Sequence, residues 1–387
     1  MENSNLFKID DITVVEKMPT KALSTNLPKI AVIGVGGGGC NMINHMIDEG
    51  SHMIDLIVAN TDLKVLHVSR APKKIELGHS INNGFGAGMD PEVGRNSALE
   101  SYEEIKETLS GADIVFVAAG LGGGTGTGAG PIIAKAAREV GALTVSVVTK
   151  PFSFEGRMRA GLANLGLDEF KKVSDSLIVI SNDKLREAID ETIGYRNAFK
   201  IVDNILYQAV NGMSQVILNP GSGADINADF ADVKTIMKHK GIALMGIGKS
   251  KGEDAANKAL EHAINSPLLE KVPLDGAKGI LIHFTINPEI SLFAIEDVML
   301  KVQNRVDENA QIIFGTTTDK TFERDEVKIT IIATGFESKN EDENLNKQEE
   351  EEDLDIQALK EEISENTLDT PPHMRGYSIQ YPFRVST

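Results

Sequence analysis

Seven glycines fall within thirteen residues in Ala118-Ala-Gly-Leu-Gly-Gly-Gly-Thr-Gly-Thr-Gly-Ala-Gly130, too many for an ordinary strand or helix interior. An apolar run, Asp113-Ile-Val-Phe-Val117, precedes them and has the length of a buried strand. Pro131 to Val140 follows, with Ile132, Ile133, Ala136, Ala137 and Val140 at helical spacing. A glycine loop between a strand and a helix start suits phosphate. Glycine lets the backbone approach an anion closely, the exposed N–H groups point at it, and the helix dipole favours negative charge. Thr125 and Thr127 add hydroxyls.

A second glycine loop, Gly34-Val-Gly-Gly-Gly-Gly39, follows the apolar run Ile30–Gly34 and leads into a helical stretch from Asn41 to Glu49. It satisfies G-x-G-x-x-G, which by itself suggests an NAD-dependent oxidoreductase. That reading also wants an acid at the end of the next strand, and Asn60-Thr61-Asp62 supplies one two residues late. Two phosphate-type loops in one chain instead fit a nucleoside triphosphate gripped by both. No G-x-x-x-x-G-K-[ST] occurs, so phosphate charge must be offset by backbone N–H groups, helix dipoles and Mg²⁺ rather than by a loop lysine. A third loop, Asn83-Gly-Phe-Gly-Ala-Gly88, is placed either to meet a terminal phosphate or simply to turn the chain into the helix at Pro91.

Net charge is −18, of which the stretch from Glu337 to Asp369 holds −11 (14 acids against 3 lysines), leaving −7 for the rest. Neither part offers the basic surface that duplex nucleic acid needs. A single cysteine, Cys40, excludes an internal disulfide framework and a cysteine-cluster metal site. Without a leader-like start or an apolar run of roughly 18 residues, the chain reads as cytoplasmic and not membrane-inserted.

Strand and helix patterns alternate through the first half: strands at Ile54–Ala59, Ile114–Ala118, Leu143–Val148 and Leu177–Ile180, and a helix over Pro91–Ser110. That predicts an α/β fold with a Rossmann-like parallel sheet and ligand loops at the carboxyl ends of its strands. Arg196–Leu218 is apolar on more than one side, the mark of a buried core helix. A smaller α+β unit follows a breaker at Asn219-Pro-Gly, with helices near Phe230–Lys238, Glu253–Asn265 and Ser291–Val306 and strands at Ile242–Gly248, Gly279–Ile286, Gln311–Gly315 and Val327–Thr334. The division is therefore an extension (1–28), a nucleotide domain with the core helix (29–218) and a C-terminal domain (219–336). An acidic disordered linker (337–366) and a tail (367–387) with renewed aromatic content suited to docking a partner complete it.

Several side chains carry alternatives. Glu155 and Arg159 either meet a ribose and a phosphate or form an i,i+4 ion pair. On the core helix, Asp203 is placed to accept from N1–H and N2–H₂ of guanine, a donor pair that adenine lacks. Phe199, one turn earlier, could stack on the ring, and Asn182 could bond the base edge. Asn227, Asp229 and Asp232 either cap a helix or orient an attacking water. The core helix climbs about 22 Å from Asp203 to Leu218, at about 1.5 Å per residue, so these acids lie far from their own base site and would serve a neighbour's nucleotide. A contact repeated head to tail gives a filament if it does not close.

Taken in order, Gly34–Asn41, Gly86-Ala-Gly-Met-Asp-Pro-Glu-Val-Gly-Arg-Asn96, Gly122-Gly-Gly-Thr-Gly-Thr-Gly128, Pro151-Phe-Ser-Phe-Glu-Gly156 and Asn227–Lys234 resemble the tubulin/FtsZ family of GTPases. The resemblance implies a polymerising GTPase that scaffolds the bacterial division ring at midcell, binding GTP or GDP with Mg²⁺ and a monovalent cation such as K⁺. It implies phosphate contacts from Gly36, Gly37, Gly38, Gly39, Cys40 and Asn41 and from Gly122, Gly123, Gly124, Thr125, Gly126 and Thr127, with a γ-phosphate sensor at Gly86, Ala87 and Gly88. Glu155 and Arg159 would meet ribose and phosphate, Asn182, Phe199 and Asp203 the guanine, and Asn227, Asp229 and Asp232 would promote hydrolysis in the next subunit. No protein side chain is assigned to a metal. The family's tail peptide, of the kind Ile-Pro-x-Phe-Leu-Arg, docks a membrane-anchoring partner. Here the corresponding segment keeps Pro371 and Arg375 but has Thr370, His373 and Met374 at its apolar positions, so the residues after Arg375 are candidates for that role.

Overall fold

Ile30–Val35 has six consecutive buried residues, as a strand covered on both faces must. Its alternate side chains enter two different cores, Ile30 and Val32 on one side and Ala31, Ile33 and Val35 on the other. The structure, a computed structural model, describes residues 27–51, 53–188, 193–218, 226, 230–239, 241–266, 274 and 276–336. The expected linker and tail lie outside the described residues.

In chain order the first half comprises β1 (Ile30–Val35), α1 (Gly36–Asp48), β2 (Asp55–Asn60), α2 (Leu63–Val68), β3 (Lys73–Glu76), α3 (His79–Asn82), α4 (Pro91–Glu100) and α5 (Tyr102–Leu109). It continues through β4 (Ile114–Gly120), α6 (Gly124–Glu139), β5 (Leu143–Lys150), α7 (Arg157–Val173), β6 (Ser176–Ser181), α8 (Asn182–Ala188) and α9 (Tyr195–Leu218). The second half holds α10 (Phe230–Met237), β7 (Ile242–Lys251), α11 (Ala255–Ile264), β8 (Gly279–Ile286), α12 (Leu292–Gln303), β9 (Gln311–Thr318) and β10 (Glu326–Thr334).

The sheet order is β3-β2-β1-β4-β5-β6-β7-β10-β8-β9. Its first six strands are all parallel, in the 3-2-1-4-5-6 order of doubly wound folds. The direction of winding reverses between β1 and β4, where such sheets open a crevice at their carboxyl ends. Beyond β6 the sheet turns mixed. β10 runs antiparallel to both β7 and β8, while β8 and β9 are parallel. Only Leu177↔Ile242 and Ile178↔Ala243 join β6 to β7, so the parallel and mixed parts meet along a short seam.

α9 lies across that seam. Val202, Leu206, Ala209, Val210, Met213 and Val216 are buried in the same core as Phe116 of β4, Met245 of β7 and Leu281 of β8. Each of these valine, leucine and methionine side chains contributes about 1.5–3 kcal/mol when fully buried, so this one helix ties the two parts together.

Two boundaries differ from the sequence expectation for identifiable reasons. The expected helix over Pro91–Ser110 breaks at Ser101 into α4 and α5; the Ser101 hydroxyl donates to the Glu76 carbonyl at 3.1 Å and accepts from Gly78 N–H at 3.3 Å. The helix expected from Pro131 begins at Gly124, so glycines 124, 126, 128 and 130 lie inside α6. A Cβ on Gly128 would collide with the Pro91 carbonyl oxygen, and one on Gly94 with the Gly124 carbonyl oxygen. The glycines let α4 and α6 touch backbone to backbone. Similarly α1 begins at Gly36, whose φ of 72° is open to glycine, and not at Asn41. β3 was not anticipated; four residues with one buried side chain carry little period-2 signal.

Candidate active site

At the β1/β4 reversal a cleft of about 430 Å³ opens along the carboxyl ends of the parallel strands. One end is walled by backbone. Gly37, Gly38 and Asn41 come from the first turns of α1, while Gly123, Gly124, Thr125 and Gly126 come from the start of α6. Two helix N-termini thus meet, and their first N–H groups have no intrahelical partner. Cβ atoms on Gly37 or Gly123 would meet nothing within 4 Å, so these residues face open space. Gly122, at φ 94°, donates its N–H to the Thr127 hydroxyl at 2.9 Å, fixing the turn before α6.

The other end is built by side chains. Asn182 opens α8, and Phe199, Val202, Asp203 and Leu206 project from one face of α9. Phe199 packs edge-on against Phe152, their ring centroids 5.6 Å apart. Asn182 is buried, and its Oδ1 has no hydrogen-bond partner. A buried orphan acceptor facing a cleft is costly unless a ligand donor reaches it. Burial pushes the Asp203 carboxyl up to about 6, a shift that His45 opposes.

Between the ends, Arg159 donates to Glu155 at 2.5 Å, and the second Glu155 oxygen accepts from Phe152 N–H at 2.9 Å. The pair is therefore an i,i+4 ion pair that itself stands on the cleft wall. Among the described residues lining the cleft, Arg159 carries the one positive charge.

Several expected residues stand outside the wall. Gly36 forms the turn into α1, and Gly39 is pressed against the Ala118 carbonyl. The Cys40 thiol is fully buried, accepts from the Asn60 amide at 3.6 Å, and is pushed up to about 11 by burial, so it is turned away from the cleft. The Thr127 hydroxyl is turned to Gly122. Gly86, Ala87 and Gly88 sit beside the first turn of α6, with Ala87 against Gly124. Asp232 lies in the first turn of α10 and is absent from the wall. Asn227 and Asp229 lie outside the described residues.

Sequence reasoning missed Thr149, at the end of β5, and Thr61, whose hydroxyl meets that of Thr125 at 2.7 Å. Val202 and Leu206 belong to the apolar surface of the core helix and also line the cleft, since their spacing from Phe199 and Asp203 places all four on one helix face. The structure also disposes of the dinucleotide reading. Asn60 ends β2 with its amide on Cys40, and Asp62 caps α2 by accepting from Lys64 N–H at 2.8 Å, which leaves no ribose-binding acid at that strand end.

Fold and cleft define an α/β protein with a nucleotide-sized site at its topological switch point. Residues 29–190 match the model of the tubulin/FtsZ family GTPase domain, and residues 241–337 match the FtsZ family C-terminal domain. An empty FtsZ dimer from M. jannaschii shares 42% identity at a TM-score of 0.74, over 81% of this chain and 90% of that one. CetZ2 from Haloferax volcanii, solved as a GTPγS-bound protofilament, shares the fold at 19% identity and a TM-score of 0.66, over 85% and 99% of the two chains. CetZ from Methanosaeta thermophila does so at 16% and 0.64, over 89% and 98%. The chain belongs to the tubulin/FtsZ family, with the GTPase and C-terminal domains of FtsZ. The family implies GTP or GDP binding, GTP hydrolysis, filaments and cell division.

Proposed function

We propose that this protein hydrolyses GTP at a site completed by the next subunit of a head-to-tail protofilament, and that the filament scaffolds the division ring in the cytoplasm at midcell. The observation that carries the reading is the cleft itself: paired helix N-termini at one end, and an orphan amide oxygen with a half-buried carboxylate at the other. Of the residues expected to hold the phosphates, the backbone of Gly37, Gly38 and Asn41 and of Gly123 to Gly126 lines the cleft and does so in this reading, while Gly36, Gly39, Cys40, Gly122 and Thr127 shape the two turns behind it. Glu155 and Arg159 meet ribose and phosphate; Asn182, Phe199 and Asp203 take the guanine. The turn Gly86–Gly88, packed on Gly124, senses the γ-phosphate.

Water attacks the γ-phosphorus, the bond to the β–γ bridging oxygen breaks, and GDP and phosphate leave; catalysis is mainly positioning and charge stabilisation. The cleft's own wall offers no acid at its phosphate end among the described residues, which supports a supply of Asp229 and Asp232 from a neighbour. When bound with the nucleotide, Mg²⁺ would supply charge neutralisation; the Thr125 hydroxyl and the cleft's amide groups would suit a cation held largely by phosphate and water, and a K⁺-type ion is a second candidate. Two exposed apolar patches support a heterologous contact: Phe85 (84% exposed) beside the sensor turn, and Leu292 with Phe293 (72% and 77%) on α12. In this reading 29–218 is the GTP domain, 219–336 carries the catalytic loop, 337–366 is a tether, and 367–387 docks membrane-anchoring and regulatory division proteins.

Right-angle light scattering tests the proposal. GTP should raise the signal and ATP should not; equal responses to both, or to neither, would overturn it.

A further inference from the structure

β5 and β6 run side by side as far as Lys150↔Ser181, the last pair of their ladder. Beyond it the two chains part, one into the segment Pro151–Glu155 and the other into α8. Both carry cleft residues: Pro151 and Glu155 come from the first, Asn182 from the second.

A side chain takes over where the ladder stops. Asp183, in the first turn of α8, accepts from the Ser153 N–H with both carboxylate oxygens, at 3.0 and 3.1 Å, and from the Ser153 hydroxyl at 3.1 Å. Bonds to an ionised carboxylate are roughly twice as strong as neutral ones. Ser153, so held, fixes Phe152 beside it. The Phe152 ring is buried between Phe154, stacked at 5.0 Å between centroids, and Phe199, the aromatic side chain of the cleft wall. Phe152 also gives its N–H to Glu155, which binds Arg159. Asp183 itself is absent from the wall, yet it joins the segment that backs Phe199 to the helix that opens on Asn182.

We infer that Asp183 is a positioning residue for guanine recognition: through Ser153 it sets the spacing between the support of Phe199 and Asn182, so that a ring stacked on Phe199 presents its edge to Asn182 and Asp203. This rests on the guanine reading above. Three separate segments build the base end, and N–H···O bonds form only over about 2.7–3.2 Å, so their spacing must be fixed to within a few tenths of an ångström.

Inosine triphosphate keeps N1–H but lacks the N2 amine, and it is the probe. Wild type should bind GTP about tenfold or more tighter, because a site built for a donor rejects the analogue without it. In Asp183→Ala the affinity for GTP should fall roughly tenfold and that for inosine triphosphate much less, so the preference shrinks to about threefold or below. Asp183→Asn, which keeps one acceptor oxygen for Ser153, should fall between the two and melt close to wild type. Ser153→Ala loses only the hydroxyl bond and should cost about twofold; added to Asp183→Ala it should cost nothing further, as two groups acting through one contact require. If wild type binds both nucleotides alike, the guanine reading falls, and the inference with it. If wild type discriminates but both Asp183 variants keep its affinities, or lose the two nucleotides equally, the positioning role is overturned and the guanine reading stands.

Discussion

The hydroxyls of Thr61 and Thr125 lie 2.7 Å apart, joining the turn after β2 to the first turn of α6 on the cleft wall. Thr61 is fully buried, so this contact fixes the orientation of a cleft hydroxyl from behind.

Thr61→Val should weaken GTP binding roughly three- to tenfold, the worth of about one neutral hydrogen bond. Thr61→Ser should recover most of it. Isothermal titration at one salt concentration checks both.

The raised Asp203 pKa gives a pH dependence. Below about 6 the carboxyl is protonated and accepts poorly from two guanine donors, so GTP affinity should fall as pH drops from 7 to 5. Because burial disfavours the ionised form, its effect on stability has the opposite sense: the contribution is present at acid pH and lost as pH rises through about 6. Asp203→Asn should therefore melt higher than wild type at pH 7 without nucleotide, yet bind GTP roughly ten- to a hundredfold more weakly and without the pH trend. Paired melting and binding curves across that range decide it.

Glycines near the cleft should divide into two kinds. Gly128→Ala forces a Cβ into the Pro91 carbonyl and should cost about 1–3 kcal/mol or more through overpacking. Gly37→Ala and Gly123→Ala meet open space, so they should leave the melting temperature unchanged and weaken nucleotide binding. Thermal unfolding and nucleotide titration on the three variants separate fold from site.

GTP turnover per molecule should rise steeply with protein concentration, and Asp229→Ala should abolish turnover while leaving GTP affinity within about twofold, as a residue serving another subunit would. Removing 337–387 should leave turnover largely intact. Activity assays over a concentration series check all three.

Much of this was legible in the chain. Apolar runs such as Ile30–Val35 and Ile114–Gly120 announce strands covered on both faces, and the α9 residues from Phe199 to Val216 announce a buried helix, because burial on two sides leaves a pattern in one segment. The glycines of 120–130 were legible as a turn between a strand and a helix but not as the body of a helix. Glycine is a poor helix former, and its use here depends on Pro91 and Gly94 of another segment. The break at Ser101 likewise depends on Glu76 and Gly78, at and just beyond the end of a strand too short to announce itself.

By itself the sequence determined the alternation of elements, the two glycine turns and the candidate guanine-reading acid, since each follows from the local period and chemistry of consecutive residues. Only the tertiary structure decided that Asn182 keeps an unpartnered oxygen in the cleft, that Cys40 turns its thiol into the core, and that Asp183 seizes Ser153. Those outcomes depend on which distant groups the packed sheet brings within hydrogen-bonding range, and no local pattern encodes that.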